Sequence, residues 1–251
     1  ESRGLGDVYK RQVLTDTTLA AATLTPTVNN YSSVAINANS VTTLTGTNAE
    51  IVAAYAADTA GTVIIDGDAK LTVSDNITFS EANVLDAKTT GVITATISTT
   101  AIGDLDDLTG TGNAYTITVG TAQVTAAALN TVNDATTVNV TATAVTTITG
   151  TAAQLATTYG GGITGLGDEA VTISDTTIDA ALLITLDNYT TGLIDASNIT
   201  TLIGSDADKA TVRASSGITG LPGGGGDDPI TGTYAQVIEV LQSKSDYTGN
   251  I

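Results

Sequence analysis

The 251-residue chain has no cysteine, histidine, methionine or tryptophan, one phenylalanine (Phe79), three prolines and only eight lysines and arginines. Without cysteine there is no disulfide framework. Without cysteine or histidine, thiolate and imidazole metal sites and Ser-His or Cys-His nucleophiles are excluded. Catalysis would fall to carboxylates, tyrosines and a few lysines. The cations that a polysaccharide lyase or hydrolase would use to hold substrate are scarce, so the sequence reads as that of a non-enzyme. A formal net charge of −18 repels nucleic acid and anionic membranes. No run of about 18 apolar residues exists to span a bilayer, so no membrane insertion is expected.

What remains is rich in Val, Ile, Leu, Ala and Thr, with threonine alone making up about a fifth of the residues. Small β-branched side chains suit strands in thin, repetitively stacked layers better than one large globular core. Residues 1–12, ESRGLGDVYKRQ, stand apart: they hold Arg3, Lys10 and Arg11 and share no pattern with the rest. They resemble a translated sequencing adapter and are set aside as non-native; on that reading the chain is expected to be a metagenomic fragment that enters an array at Val13. The remaining residues carry five Lys or Arg against 24 Asp or Glu.

Internal repetition is the dominant signal. The segments VTTLTGTNAEIVAAYA from Val41, DDLTGTGNAY from Asp106, VTTITGTAAQLATTYG from Val145 and ITTLIGSDADKATVRA from Ile199 end alike. Their glycines, Gly46, Gly110, Gly150 and Gly204, fall at unequal intervals, the shortest lying between Gly110 and Gly150. The array is expected over 13–221, followed by a Gly/Pro/Asp linker at 222–229 and the start of a truncated further unit at 230–251. Within a unit, LTVSDN from Leu71 and VTISDT from Val171 alternate as strands do. The stretches after the glycines carry N-terminal capping boxes, pairing Thr47 with Glu50, Thr151 with Gln154 and Thr233 with Gln236, with Ser205 and Asp208 as a weaker version. The unit after Gly110 places a second glycine where the helix would begin, so that helix is expected to be missing.

Crossovers of this length imply parallel pairing with right-handed connections. The expected fold is mainly β with short helices: a right-handed parallel β-solenoid built from irregular repeats of about 40–64 residues. The alternative is a string of small β-rich domains, although seven strands per sandwich are not available.

The candidate site residues are oxygen ligands for calcium: Asp104, Asp106 and Asp107 in GDLDDLTG, Asp168 and Glu169 in GDEA, Asp206 and Asp208 in GSDADK, and Asp227 and Asp228 after four glycines. None follows EF-hand spacing or the tandem calcium nonapeptide, and the competing reading is solvated acidic turns and helix caps. GGGITGLG from Gly160 has no Walker lysine, and its GITGL recurs at Gly217, so it reads as a repeat corner.

Taken together, the units TLTGTNAEIVAAYAADTAG and TITGTAAQLATTYGGGITGLGDEAVTISDTTIDAALLITLDNYTTGLIDAS resemble the long Thr/Ala/Gly/Asp-rich arrays of very large surface or secreted proteins of marine bacteria and cyanobacteria. That resemblance implies an extracellular or cell-surface, non-catalytic structural or adhesive protein. Its partners would be the neighbouring repeats of the same chain and surface polysaccharide or other cells. Two alternatives are a carbohydrate-active β-solenoid of lyase or tail-spike type, and a carbohydrate-binding module displaying Tyr31, Tyr189 and Tyr234.

Overall fold

The computed structural model describes residues 12–29 and 32–222; the expected linker beyond Pro222, the further unit with its Thr233–Gln236 box, and nearly all of the adapter-like segment lie outside these residues. In chain order the elements begin with β1 (Thr18–Ala20), a π-helical segment (Thr23–Val28), β2 (Ile36–Ala38), β3 (Thr43–Gly46), α1 (Asn48–Thr59), β4 (Val63–Ile65), β5 (Lys70–Ile77) and α2 (Phe79–Asp86). They continue through β6 (Ile93–Ile97), α3 (Ile102–Leu105), β7 (Ala114–Thr116), β8 (Gln123–Thr125), α4 (Ala126–Asp134), β9 (Val140–Thr141), β10 (Thr147–Gly150) and α5 (Ala152–Gly160). The last are β11 (Ile163–Thr164), β12 (Ala170–Ile173), β13 (Thr177–Asp179), α6 (Ala180–Asp187), β14 (Ile194–Asp195), β15 (Thr201–Ile203), α7 (Asp206–Ala214) and β16 (Ile218–Thr219).

All strand pairings are parallel, as expected. Two five-stranded sheets, ordered β1-β3-β5-β6-β7 and β16-β14-β12-β10-β8, are accompanied by the pairs β2-β4, β9-β11 and β13-β15. Helix occupies roughly 32% and strand roughly 28% of the structure, so the expectation of a mainly β chain is corrected to a mixed one. The Ala/Leu-rich stretches such as AALLITLD form helices of about two turns, as their length suggests, and the physical reason for the mixed content is that every strand but β5 has only two to five residues.

Period-2 alternation decides which face of each strand is buried. Val124, Ile148, Val171, Ile194 and Ile218 stand in register across one sheet and are all buried, while their neighbours Thr125 and Thr149 face outward. Leu44, Leu71 and Ile93 do the same in the other sheet. All the buried apolar residues described except Ile36 form one cluster running from Ala21 to Ile218. No helix among the described residues is long and apolar enough to cross a membrane.

The helices begin as the capping residues anticipate. Thr47 and Thr151 each close a capping box, with Glu50 and Gln154 respectively, and the Ser205 side chain accepts from the Asp208 N–H. A further box, Thr78 with Glu81, starts α2. Its sequence signal, T-x-x-E, is present at Thr78, but no Thr-Gly precedes it to draw attention.

As expected, no helix begins directly after Gly110: β7 follows it, and a short helix, α3, stands ahead of it. α3 spans four residues, and its N-cap, Ala101, makes no side-chain cap hydrogen bond. Helices α1, α3, α5 and α7 therefore start at Asn48, Ile102, Ala152 and Asp206, at nearly even intervals. The uneven glycine spacing arises because Gly110 occupies a different place from Gly46, Gly150 and Gly204. A Cβ at Gly110 would lie 2.3 Å from Asp86 Oδ1, in the loop beyond α3.

The near-even helix spacing has a simple composition. Counting β5 as two segments across its irregularity between Thr72 and Asn76, and β6 as the two segments that pair with them, seven segments run from the start of α1 to the start of α3. Seven also run from α3 to α5, where residues 117–119 form the segment tied by the Thr118–Thr141 bridge. From α5 to α7 the seven are α5, β11, β12, β13, α6, β14 and β15.

Candidate functional site

The acidic residues singled out from the sequence do not converge: among the described residues no group of three or more carboxylates could hold a metal ion. Asp104 lies within α3 and Asp106 caps its C-terminus, while the Asp107 carbonyl accepts from the Asn83 side-chain amide at 2.9 Å. Asp206 and Asp208 occupy the first turn of α7, where negative charge offsets the helix dipole. Asp206 sits 3.8 Å from the Lys209 ammonium and Asp208 accepts from the Ser205 hydroxyl at 2.6 Å. Asp227 and Asp228 lie outside the described residues.

Other acids join elements that lie well apart along the chain. Asp75 accepts from the Asn48 N–H at 2.8 Å and Asp175 from the Ala152 N–H at 2.6 Å, so each Ser-Asp pair caps the first residue of a helix that precedes it in the chain. Asp86 accepts from the Asn113 amide at 3.0 Å and Asp187 from the Ser215 hydroxyl at 2.7 Å, each partner lying beyond the next strand pairing. These recurrent carboxylates act as links of the scaffold.

Glu169 differs from all of them. It is 1% exposed, and its carboxylate accepts from the Tyr159 hydroxyl, the Gly167 N–H at 2.7 Å and the Asp168 N–H at 3.2 Å. Tyr159 projects from α5, four residues after buried Leu155, which fixes it on the inward helical face. Burial first, and then the carboxylate beside it, hold the Tyr159 phenol well above its ordinary 10.0. Tyr189 stacks on Tyr159 with ring centroids 5.2 Å apart and planes 8° from parallel, and it is 40% exposed. Sequence reasoning listed Glu169 as a calcium ligand and missed its pairing, because the tyrosine lies earlier in the chain, across a glycine-rich corner. Of the three tyrosines expected on one face, Tyr189 is exposed, while Tyr31 and Tyr234 lie outside the described residues.

The floor of this corner is a Thr-Thr-Gly turn. Thr190 donates to the Glu169 carbonyl at 2.7 Å and accepts from the Gly192 N–H at 2.9 Å. A Cβ at Gly192 would lie 2.2 Å from the Glu169 carbonyl oxygen, so no larger residue fits. The same turn at Thr89–Gly91 borders a groove of about 490 Å³ lined by Asp86, Thr89, Thr90, Thr109, Thr111 and Asn113 among others. Its lining holds no aromatic ring or cation, and the Asp86, Thr89 and Asn113 side chains all make hydrogen bonds to the scaffold. No histidine or cysteine exists to act as a base or nucleophile at either place. Comparison with known protein families, characterised proteins and solved structures finds no match to this chain.

Proposed function

We propose that the chain is a right-handed parallel β-solenoid and serves as a stretch of an extracellular, non-catalytic structural or adhesive stalk. One observation carries the reading: every strand pairing and isolated bridge joins segments a similar short distance apart along the chain, from Asn76 with Thr96 at the nearest to Thr43 with Lys70 at the farthest. Each layer is therefore held only by the layers directly before and after it. Stability is then built from nearest-neighbour contacts and length can grow without a change of cross-section, which suits a spacer. The single apolar cluster from Ala21 to Ile218 favours a continuous stack over separate small domains. The acidic surface keeps such a stack soluble and apart from nucleic acid. Its partners would be adjoining repeats and surface polysaccharide or other cells.

Small-angle X-ray scattering on the full chain, alone and as a tandem fusion of two copies, tests this. The expected result is a cross-section shared by both samples and a length growing by ~4.8 Å per added turn. A fusion that thickens as much as it lengthens overturns the reading.

A carbohydrate-binding module is the second reading, favoured by the exposed outer face of Tyr189 on its stacked support. Binding to a panel of polysaccharides that is lost in Tyr189→Ala would support it. Equal binding by both proteins would rule it out.

A further inference from the structure

We infer that the seven-segment repeat exists to move the helices around the stack, so that a solenoid containing helices stays straight. This inference rests on the solenoid reading and concerns its shape. If each turn has three segments, seven segments are two and one third turns, and every copy of the repeat is rotated by one side relative to the last.

The element order shows the movement. Two strand segments separate α2 from α3, α4 from α5 and α6 from α7, so the two helices of each pair stand on the same side in consecutive turns. Three strand segments separate α1 from α2, α3 from α4 and α5 from α6, which shifts the next pair by one side. α4 packs against α5 and α6 against α7 more closely than α5 does against α6 at the shift; the four-residue α3 is the exception, touching α4 more than α2, to which only the loop after it is tied, through Asn83 to Asp107 and Thr109. Side chains tie the paired helices: Asn130 of α4 donates to the Gln154 carbonyl of α5 at 3.0 Å and accepts from Thr158 at 2.8 Å.

The reason for moving is a mismatch of spacings. Neighbouring strands sit ~4.8 Å apart, whereas packed helices need about 8–10 Å between axes. A helix pair therefore opens its side of the stack by roughly 4 Å relative to the strand sides. Repeated on one side, this opening accumulates into an arc. Distributed over three sides it cancels after three pairs, which is seven turns or about 38 Å of stack with one opening on each side. In element order α2 with the short α3, then α4/α5, then α6/α7 complete one such circuit within the described residues, the last two being packed helix pairs. The extra strand at each shift, including the eight-residue β5 and the β11-β12-β13 run, is the element that makes the rotation.

The absence of cysteine allows labelled pairs to be placed at will in the full chain. Thr18→Cys with Thr177→Cys, and Ile64→Cys with Thr219→Cys, each span seven turns on different sides, and all four positions are exposed. Pulsed electron spin resonance is expected to give both pairs the same separation, about 38 Å from seven strand spacings and the opening at the one helix pair on each side, plus a shared linker contribution. One-sided accumulation of helix spacing would lengthen one pair over the other by about 12 Å, and a difference of that size overturns the inference. A separate control reads the stack itself. Thr96→Cys and Thr116→Cys face each other in register on adjacent strands and are expected to form a disulfide on mild oxidation. Failure of that bond, with two scattered distances, would instead sink the solenoid reading.

Discussion

The corners at Tyr55 and Tyr159 are two copies of one construction with opposite polar contents. Each tyrosine follows a buried aliphatic residue by four positions in a helix opened by a capping box. Each corner is closed by a Thr-Thr-Gly turn: Thr89 donates to the Ala69 carbonyl at 2.6 Å as Thr190 does to that of Glu169 at 2.7 Å. The Thr90 N–H reaches the Gly67 carbonyl and the Thr191 N–H that of Gly167, both at 2.8 Å. Where the second copy has Glu169 the first has Ala69, and where the second stacks Tyr189 the first has Lys88. Consequently the buried Tyr55 hydroxyl has no hydrogen-bond partner, whereas that of Tyr159 is bound by a carboxylate. The backbone device is common to both corners, and the polar pair is an addition that only one of them carries.

Removing the addition should have the largest effect. Glu169→Ala strips acceptors from the Tyr159 hydroxyl and two backbone N–H groups in a buried corner, with an expected loss of about 3 kcal/mol by urea unfolding. A loss below about 1 kcal/mol would mean that water replaces the carboxylate. The shared device is probed by Gly91→Ala and Gly192→Ala, whose methyl groups would fall 2.3 Å and 2.2 Å from the Asp68 and Glu169 carbonyl oxygens. Both should cost about 2 kcal/mol, and clearly unequal costs would show that the two corners are not the same construction.

Alkaline titration probes both corners. Burial holds the Tyr55, Tyr115 and Tyr159 phenols above their ordinary 10.0, so the unfolded chain releases these protons first. Their contribution is complete below about pH 10 and is lost as the pH rises above it, by about 1.4 kcal/mol per unit for each tyrosine. Denaturation midpoints followed above about pH 10 should fall less steeply in Tyr159→Phe. An unchanged slope would contradict the buried, carboxylate-paired phenol. The smallest effect belongs to Tyr55→Phe, which removes an unpartnered buried hydroxyl and is expected to leave stability within about 0.5 kcal/mol of the parent or slightly above it. A loss of more than about 1 kcal/mol would reveal a bond to that hydroxyl.

Local features were legible in the sequence to the extent that neighbours along the chain determine them. The capping residues Thr47, Thr151 and Ser205 do start helices, and the alternation in LTVSDN and VTISDT does place Leu71, Val73, Val171 and Ile173 inward. Parallel pairing followed from the length of the crossovers. The candidate calcium residues were legible only as acids, since carboxylates in loops and carboxylates that tie distant elements together look alike in one dimension. Asp75, Asp86, Asp175 and Asp187 take their meaning from partners 23 to 28 residues away, namely Asn48, Asn113, Ala152 and Ser215.

By itself the sequence determined the chemistry that is absent, the period-2 and capping signals, and the presence of a repeat, because each depends on residue type and short-range geometry. Tertiary structure decided the distance along the chain between paired strands, the equivalence of α3 with α1 and α5, and the burial of Glu169 against Tyr159. A strand pairs with a partner 20 to 27 residues further on, as Asn76 does with Thr96 and Thr43 with Lys70. The sequence copy that begins at Asn48 and starts again at Ile102 covers two such steps and part of a third. Like residues in successive copies therefore meet different neighbours, which is why the repeat could be found along the chain but its contacts could be found only in space.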